Sequence, residues 1–224
     1  MNPNDVFEII RKHIVRIQKA KTKPVRIAIN GIEGSGKTTF AEQLTCYLVS
    51  KEHTAIHVSI DGFHYHREHR YRQGKDSARG YYEDSYDEMT FAEKVLIASQ
   101  DEYPSYLPTT HDLESDQYVH IPTLSLAHDA VLITDGAYLF KPIYRAHWDL
   151  KIYLRTDFET AQERGIKRDA ELLGGYQSAS DKYKNRYHAA SRIYNDENTP
   201  ETQADIIVDN VDYNRPIVIK GKLS

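Results

Sequence analysis

The chain has 224 residues, a net charge of −4 and 40% hydrophobic side chains, enough for the core of one large α/β domain or two small ones. This balance offers no basic field to hold a nucleic-acid backbone, and the longest apolar runs fall far short of the roughly 18 residues that suggest a membrane span. The single cysteine, Cys46, cannot close an internal disulfide and has no metal-ligating neighbours in sequence, which fits a reducing, cytoplasmic setting.

No break in composition divides the chain, so one domain over 1–224 is expected, and self-association is left open. Residues 4 to 19 carry Phe7, Ile10, Ile14 and Ile17 at helical spacing, with Pro3 and Asn4 as start signals. An apolar run from Val25 to Asn30 reads as the first strand. Gly31-Ile-Glu-Gly-Ser-Gly-Lys37-Thr38 follows and fits the spacing G-x-x-x-x-G-K-[ST]. A helix pattern then carries Phe40, Leu44, Tyr47 and Leu48 on one face, and Ala55 to Ile60 reads as a second buried strand. About 13 helical residues return the chain by roughly the length that a six-residue strand advances it. Asp61 therefore emerges at the same sheet edge as the glycine-rich loop.

Further buried runs are Ala130–Thr134, Leu150–Leu154, Asp205–Val208 and Pro216–Ile219, with helical patterns at 88–99, 157–172 and 181–194. The second of these helices begins with a capping box, Thr156-Asp-Phe-Glu159. Strands alternating with helices predict an α/β three-layer sandwich with a mainly parallel sheet, whose ligands sit beyond the carboxyl ends of the strands. Residues 62–87, polar and tyrosine-rich, and 101–128, with three prolines, break the alternation and read as substrate-side insertions, the latter as loop or a short hairpin. Loops of that length in a compact domain are usually functional or disordered.

The loop is the strongest signal. Its glycines let backbone N–H groups turn towards phosphate oxygens, Lys37 reaches the β/γ-phosphates and Thr38 ligates Mg²⁺. Gly31, Glu33, Gly34, Ser35, Gly36, Lys37, Thr38 and Thr39 are thus expected to bind a nucleoside triphosphate; a plain glycine-rich turn explains fewer of the coincident features. Asp61 and Asp135 each end a strand. The former suits orientation of an attacking hydroxyl, and the latter, in Val131-Leu-Ile-Thr-Asp135-Gly136, suits the metal. Turn-forming Asp-Gly pairs are the plainer reading of both. Arg164 has no acid three or four residues away, unlike Lys167 between Glu163 and Glu171, so Arg164 and Arg168 are the candidates for transition-state charge stabilisation. Tyr65, Tyr71, Tyr81, Tyr82 and Tyr86, interleaved with arginines, could stack on a substrate, though such rings are more often half-buried packing. His64, His66 and His69 lack the second cluster a zinc site needs.

The loop, Asp61-Gly-Phe-His64, the stretch Arg72 to Asp87, Asp135-Gly136, Arg164 with Arg168-Asp169, and Ala204-Asp-Ile-Ile-Val-Asp-Asn210 occur in an order that resembles the uridine kinase and phosphoribulokinase group of P-loop kinases, which includes bacterial pantothenate kinase. The resemblance implies a five-stranded parallel core, ATP and Mg²⁺ as cofactors, a lid over about 157–194 whose arginines close on the phosphates, and Asn210 near the adenine. It implies an acceptor site drawing on Asp61, Phe63, His64, Arg79, Tyr82 and Asp112. Two departures stand out: uridine kinases typically carry Glu-Gly where this chain has Asp135-Gly136, and their Pro-x-Tyr-Asp hairpin is here Pro108-Thr-Thr-His-Asp112. The expected activity is phosphoryl transfer to a small-metabolite hydroxyl, a uridine- or cytidine-type nucleoside first and a pantothenate- or sugar-type acceptor next. A GTPase-like switch lacks an N/T-K-x-D guanine-reading element at a strand end. A non-catalytic nucleotide-binding module is disfavoured by the joint presence of Lys37, Asp61 and Asp135.

Overall fold

The computed structural model describes residues 1–221. Helix α1 (Pro3–Ala20) starts at a reciprocal cap between Asn2 and Asp5, one residue before the predicted signals, with Pro3 in its first turn. Its apolar stripe, Val6, Phe7, Ile10 and Ile14, is buried. Among the described residues, no helix is long and apolar enough to cross a membrane.

Six strands form the main sheet: β1 (Val25–Asn30), β2 (Ala55–Ser59), β3 (Val131–Gly136), β4 (Leu150–Arg155), β5 (Ile206–Asp209) and β6 (Ile217–Lys220). Their spatial order is β6-β5-β4-β1-β3-β2. The first five in chain order are parallel and β6 runs antiparallel to β5, adding an edge strand to the expected five-stranded core. Parallel strands covered on both faces read as apolar runs, which is why these segments were visible in sequence.

Alternation along the strands divides the core into two layers. Ile27, Ile29, Val131, Ile133 and Ile152 face α1 and helix α2 (Lys37–Ser50), meeting Phe7, Ile10, Phe40 and Leu44. Ala28, Val58 and Leu132 face the other way, onto Phe63, Tyr86, Phe91, Tyr138, Phe140 and Tyr194. Of the tyrosines of the first insertion, Tyr82 and Tyr86 join this layer, Tyr81 packs against it, and Tyr65 and Tyr71 are half-buried outside it. Helix α3 (Ala78–Asp84) presents Tyr82 to that layer, and helices α4 (Phe158–Asp169) and α5 (His188–Asn198) lie later in the chain.

The second insertion makes two small antiparallel pairings, Ser105–Tyr106 with Leu124–Ser125 and His111–Asp112 with Gln117–Tyr118. Such two-residue pairings carry no period for a sequence to display. The cap of α4 differs from the expected box. Asp157, not Thr156, is its N-cap and accepts from Thr160 N at 2.8 Å, because Thr156 is buried against the glycine-rich loop with its hydroxyl 3.4 Å from Ser35 O.

Candidate active site

Three adjacent strands, β1, β3 and the edge strand β2, set the site. In register, Ile29 of β1 and Ser59 of β2 both lie beside Asp135 of β3, so the loop after β1 and the turn after β2 flank one carboxylate. The loop takes the shape a phosphate cradle requires. Gly34 and Gly36 have φ of +84° and +90°, and a Cβ on Gly34 would lie 2.0 Å from Ala161 O of α4. The hydroxyl of Ser35 is buried within the loop without a hydrogen-bond partner. Lys37 Nζ curls back to donate to Ile32 O at 2.9 Å and lies 3.8 Å from Glu33. A buried ammonium at a helix N-terminus beside inward-facing loop amides is a place for anionic oxygens.

Asp135 is held by two donors. Thr38 Oγ1 donates to Oδ2 at 2.7 Å, and His57 Nε2 lies 2.7 Å from Oδ1; the imidazole is the donor there, since an ionised carboxylate only accepts. Burial on its own would raise the Asp135 carboxyl, but these bonds and the Lys37 charge outweigh it and hold the group below its ordinary value. The two predicted metal ligands, Thr38 and Asp135, are thus in contact. A hydroxyl and a single carboxylate beside a phosphate cradle fit Mg²⁺, which takes few protein ligands and completes its shell with water and substrate phosphates.

Asp61 sits in a 3₁₀ turn (Ile60–Phe63) that continues β2. Its Oδ1 accepts from the Tyr86 hydroxyl at 3.0 Å, and its carbonyl accepts from His64 Nδ1 at 2.8 Å. Surrounding protein pushes the carboxyl up from its ordinary value; His64 opposes this, while Glu33 and Asp135 add to it. The side chain still opens into a small cavity of about 60 Å³, shared with Glu33, Lys37, Thr38 and Arg168.

A second cavity of about 270 Å³ adjoins the first and shares Gly34, Gly36, Thr39 and Arg168 with it. Its lining is mostly apolar and includes Phe40, Tyr213 and Asn210. Arg164 belongs here, away from Asp61. Its guanidinium donates to Asn210 O at 3.0 Å and Val211 O at 2.6 Å and lies over the Tyr213 ring. Arg164, expected to stabilise transition-state charge, thus lines the second cavity and not the one beside Asp61, and the carbonyls that accept from it lie after β5 rather than on its own helix. Arg168 lines both cavities; Asp169 takes its Nε and Nη2 at 2.7 and 3.0 Å, with the Tyr183 hydroxyl 3.3 Å from Nη2. Asn210 Nδ2 donates to Ser35 O at 2.9 Å, tying β5 to the loop.

Several expected acceptor contacts lie elsewhere. Phe63 is buried edge-on against Phe91. Tyr82 is buried, accepts from Asn198 at 2.9 Å and lies under the Lys141 ammonium. Arg79 pairs outside the cavity with Glu197 at 2.7 Å and Glu83 at 3.3 Å. Asp112 is exposed and closes the turn of its own hairpin through Ser115. His64 is buried at the back of Asp61. Conversely, the sequence reading missed His57 behind Asp135 and did not separate Tyr86, behind Asp61, or Tyr81, whose hydroxyl donates to Glu33 at 3.1 Å, from their neighbours. His57 was accessible in principle: it and Ser59 alternate with buried Val58 and Ile60 on a strand ending at the loop.

A family model described as phosphoribulokinase / uridine kinase matches residues 26–215. A uridine kinase from Lactobacillus helveticus is 29% identical over 192 residues, covering 83% of this chain and 86% of that protein. Among solved structures, a possible uridine kinase from Bacillus stearothermophilus superposes with a TM-score of 0.65 at 20% identity, covering 88% of this chain and 98% of its own. A D-glycerate 3-kinase from Cryptococcus neoformans gives 0.64 at 11% identity, with 97% and 99% covered. At those identities the two structures attest a common fold. A P-loop between β1 and α2, with acids at the tips of β2 and β3, agrees with the matched segment, and the chain belongs to the phosphoribulokinase / uridine kinase family of P-loop kinases.

Proposed function

We propose that the protein transfers the γ-phosphoryl group of ATP to a hydroxyl of a small metabolite, with a uridine- or cytidine-type nucleoside as the leading acceptor. The observation that carries this reading is that Asp61 opens into the cavity lined by Lys37 and Thr38. Lys37 leaves Ile32 O for the phosphate oxygens, and Thr38 and Asp135 hold Mg²⁺. When bound, the metal neutralises charge that develops on the transferring group. An alcohol is about as weakly acidic as water, with a pKa near 15.7, so Asp61 orients the acceptor hydroxyl and takes its proton late, as a loose transition state permits. Arg168, at the junction of the two cavities, is the cation placed to meet charge on the phosphates.

The nucleoside preference rests on the uridine kinase relative. A sugar is the second reading. A pantothenate- or glycerate-like acceptor ranks lower on electrostatic grounds, since Glu33 and Asp61 both line the cavity and would repel its carboxylate. A screen of ATP consumption against uridine, cytidine, fructose, pantothenate and glycerate, each compared with an acceptor-free control, tests the proposal. Product from uridine or cytidine is the expected result. Turnover confined to another acceptor reassigns the substrate, and consumption no faster than the control throughout overturns the kinase reading.

A further inference from the structure

The adjoining 270 Å³ cavity is not completed by the family-matched segment alone. Pro3 and Phe7 of α1 line it together with Gln43, Arg164, Tyr213 and Pro216, and the match begins only at residue 26. Phe7 is seated by edge-on contact with Phe40, at 5.2 Å between ring centres, and by Tyr47 at 5.7 Å. Pro3 lies in the first turn of α1, where the Asn2–Asp5 cap fixes the entry of the chain. Part of this cavity's wall therefore comes from a helix that precedes the family-matched segment.

We infer that α1 is a structural part of the donor-nucleotide site, its Pro3 and Phe7 forming a wall against which the nucleobase rests. The inference builds on the kinase reading, because it takes the occupant to be the base of the triphosphate held by the loop. Three observations favour that occupant. The cavity runs directly into the phosphate cradle through Gly34, Gly36 and Thr39. It is largely apolar, as a flat heteroaromatic ring requires. It also carries a guanidinium, Arg164, anchored at the cavity wall by the carbonyls of Asn210 and Val211, and a planar cation held in that way suits a π system.

Inorganic tripolyphosphate separates the two parts of the site, because it occupies the cradle and leaves the base cavity empty. Calorimetric titration of the full chain with Mg·ATP and with Mg·tripolyphosphate, for the parent and for Phe7→Leu and Pro3→Ala, tests the inference, with thermal melting to verify the fold. Phe7→Leu retains a large apolar side chain in the core, and Pro3→Ala alters only the first helical turn. The expected result is an ATP Kd raised about three- to tenfold in each variant, with the tripolyphosphate Kd unchanged within about twofold. ATP affinity unmoved in both folded variants, or falling in step with that of tripolyphosphate, overturns the role of α1 and leaves the kinase reading standing. If the parent binds neither ligand, the donor site itself is refuted and this inference falls with it.

Discussion

Asp61 and Asp135 are chemically alike and close in the sheet, Asp61 lying two residues beyond the Ser59 that pairs with Asp135, yet their surroundings drive them apart. Asp135 has both oxygens engaged by Thr38 and His57 and is held ionised. Asp61 accepts from Tyr86 and is pushed towards protonation by desolvation at the cavity wall and by the neighbouring acids Glu33 and Asp135. A metal ligand benefits from the first environment and a proton acceptor from the second. Asp61→Asn should leave the ATP Kd nearly unchanged and lower kcat by about 10²–10⁴, measured by titration and by initial rates; unaltered turnover would remove Asp61 from the chemistry. The pH dependence follows from the same shift. Asp61 acts in its ionised form and its pKa is raised, so kcat/KM should fall, as pH falls, at a point above the ordinary carboxylate value of 3.8. Tyr86→Phe removes a donor that favours the charged form. The acid limb of the profile should then move to higher pH, whereas a purely structural role for Tyr86 would scale the whole profile without moving it.

At the level of elements, a buried arginine joins the first insertion to the helical segment over residues 176–198. Arg186, in the π-helical turn Tyr183–Tyr187, stacks over Tyr71 and Tyr81 and donates to the carbonyls of Lys75 and Arg70. Tyr81 in turn meets Glu33 of the phosphate loop. Arg186→Ala leaves those carbonyls without a donor, at a cost of about 1–3 kcal/mol for a buried group, and opens a void between two rings. Hydrogen exchange should therefore speed up across residues 67–87 while the amides of β1 keep their protection; equal loss in both would show that Arg186 supports the whole fold rather than this clasp. No local pattern marks this residue, because its partners are backbone groups more than 100 residues earlier. The partners of Arg164 were hidden for the same reason: it has no acid beside it along α4, and its hydrogen bonds go to carbonyls after β5. The inner parallel strands and the phosphate loop were legible because burial on both faces and the glycine spacing are written locally. The split between core tyrosines such as Tyr82 and site tyrosines such as Tyr86 was not, since it depends on which side of a short helix each one falls.

Across the whole molecule, β1 lies between β3 and β4, so the chain winds away from it on both sides and leaves a crevice beyond its carboxyl end, where ligands of open α/β sheets bind. Two charged groups at that crevice have partners within the chain: Lys37 finds Ile32 O, and Asp135 finds Thr38 and His57. The fold accordingly has no need of metal to hold these charges in place. Treatment with EDTA in the absence of nucleotide should leave Tm unchanged. Mg·ATP binds the native state alone and should raise it. Nucleotide at 100 times its Kd contributes about 2.7 kcal/mol, and a chain of this size gains about 2–4 °C per kcal/mol, which together give about 5–11 °C. Adding EDTA to the nucleotide complex should reverse most of that rise, because Thr38 and Asp135 then have no cation through which to grip the phosphates. A Tm that drops with EDTA alone would mean that metal supports the fold itself, and a rise with ATP that survives EDTA would mean that Thr38 and Asp135 hold no metal in the complex.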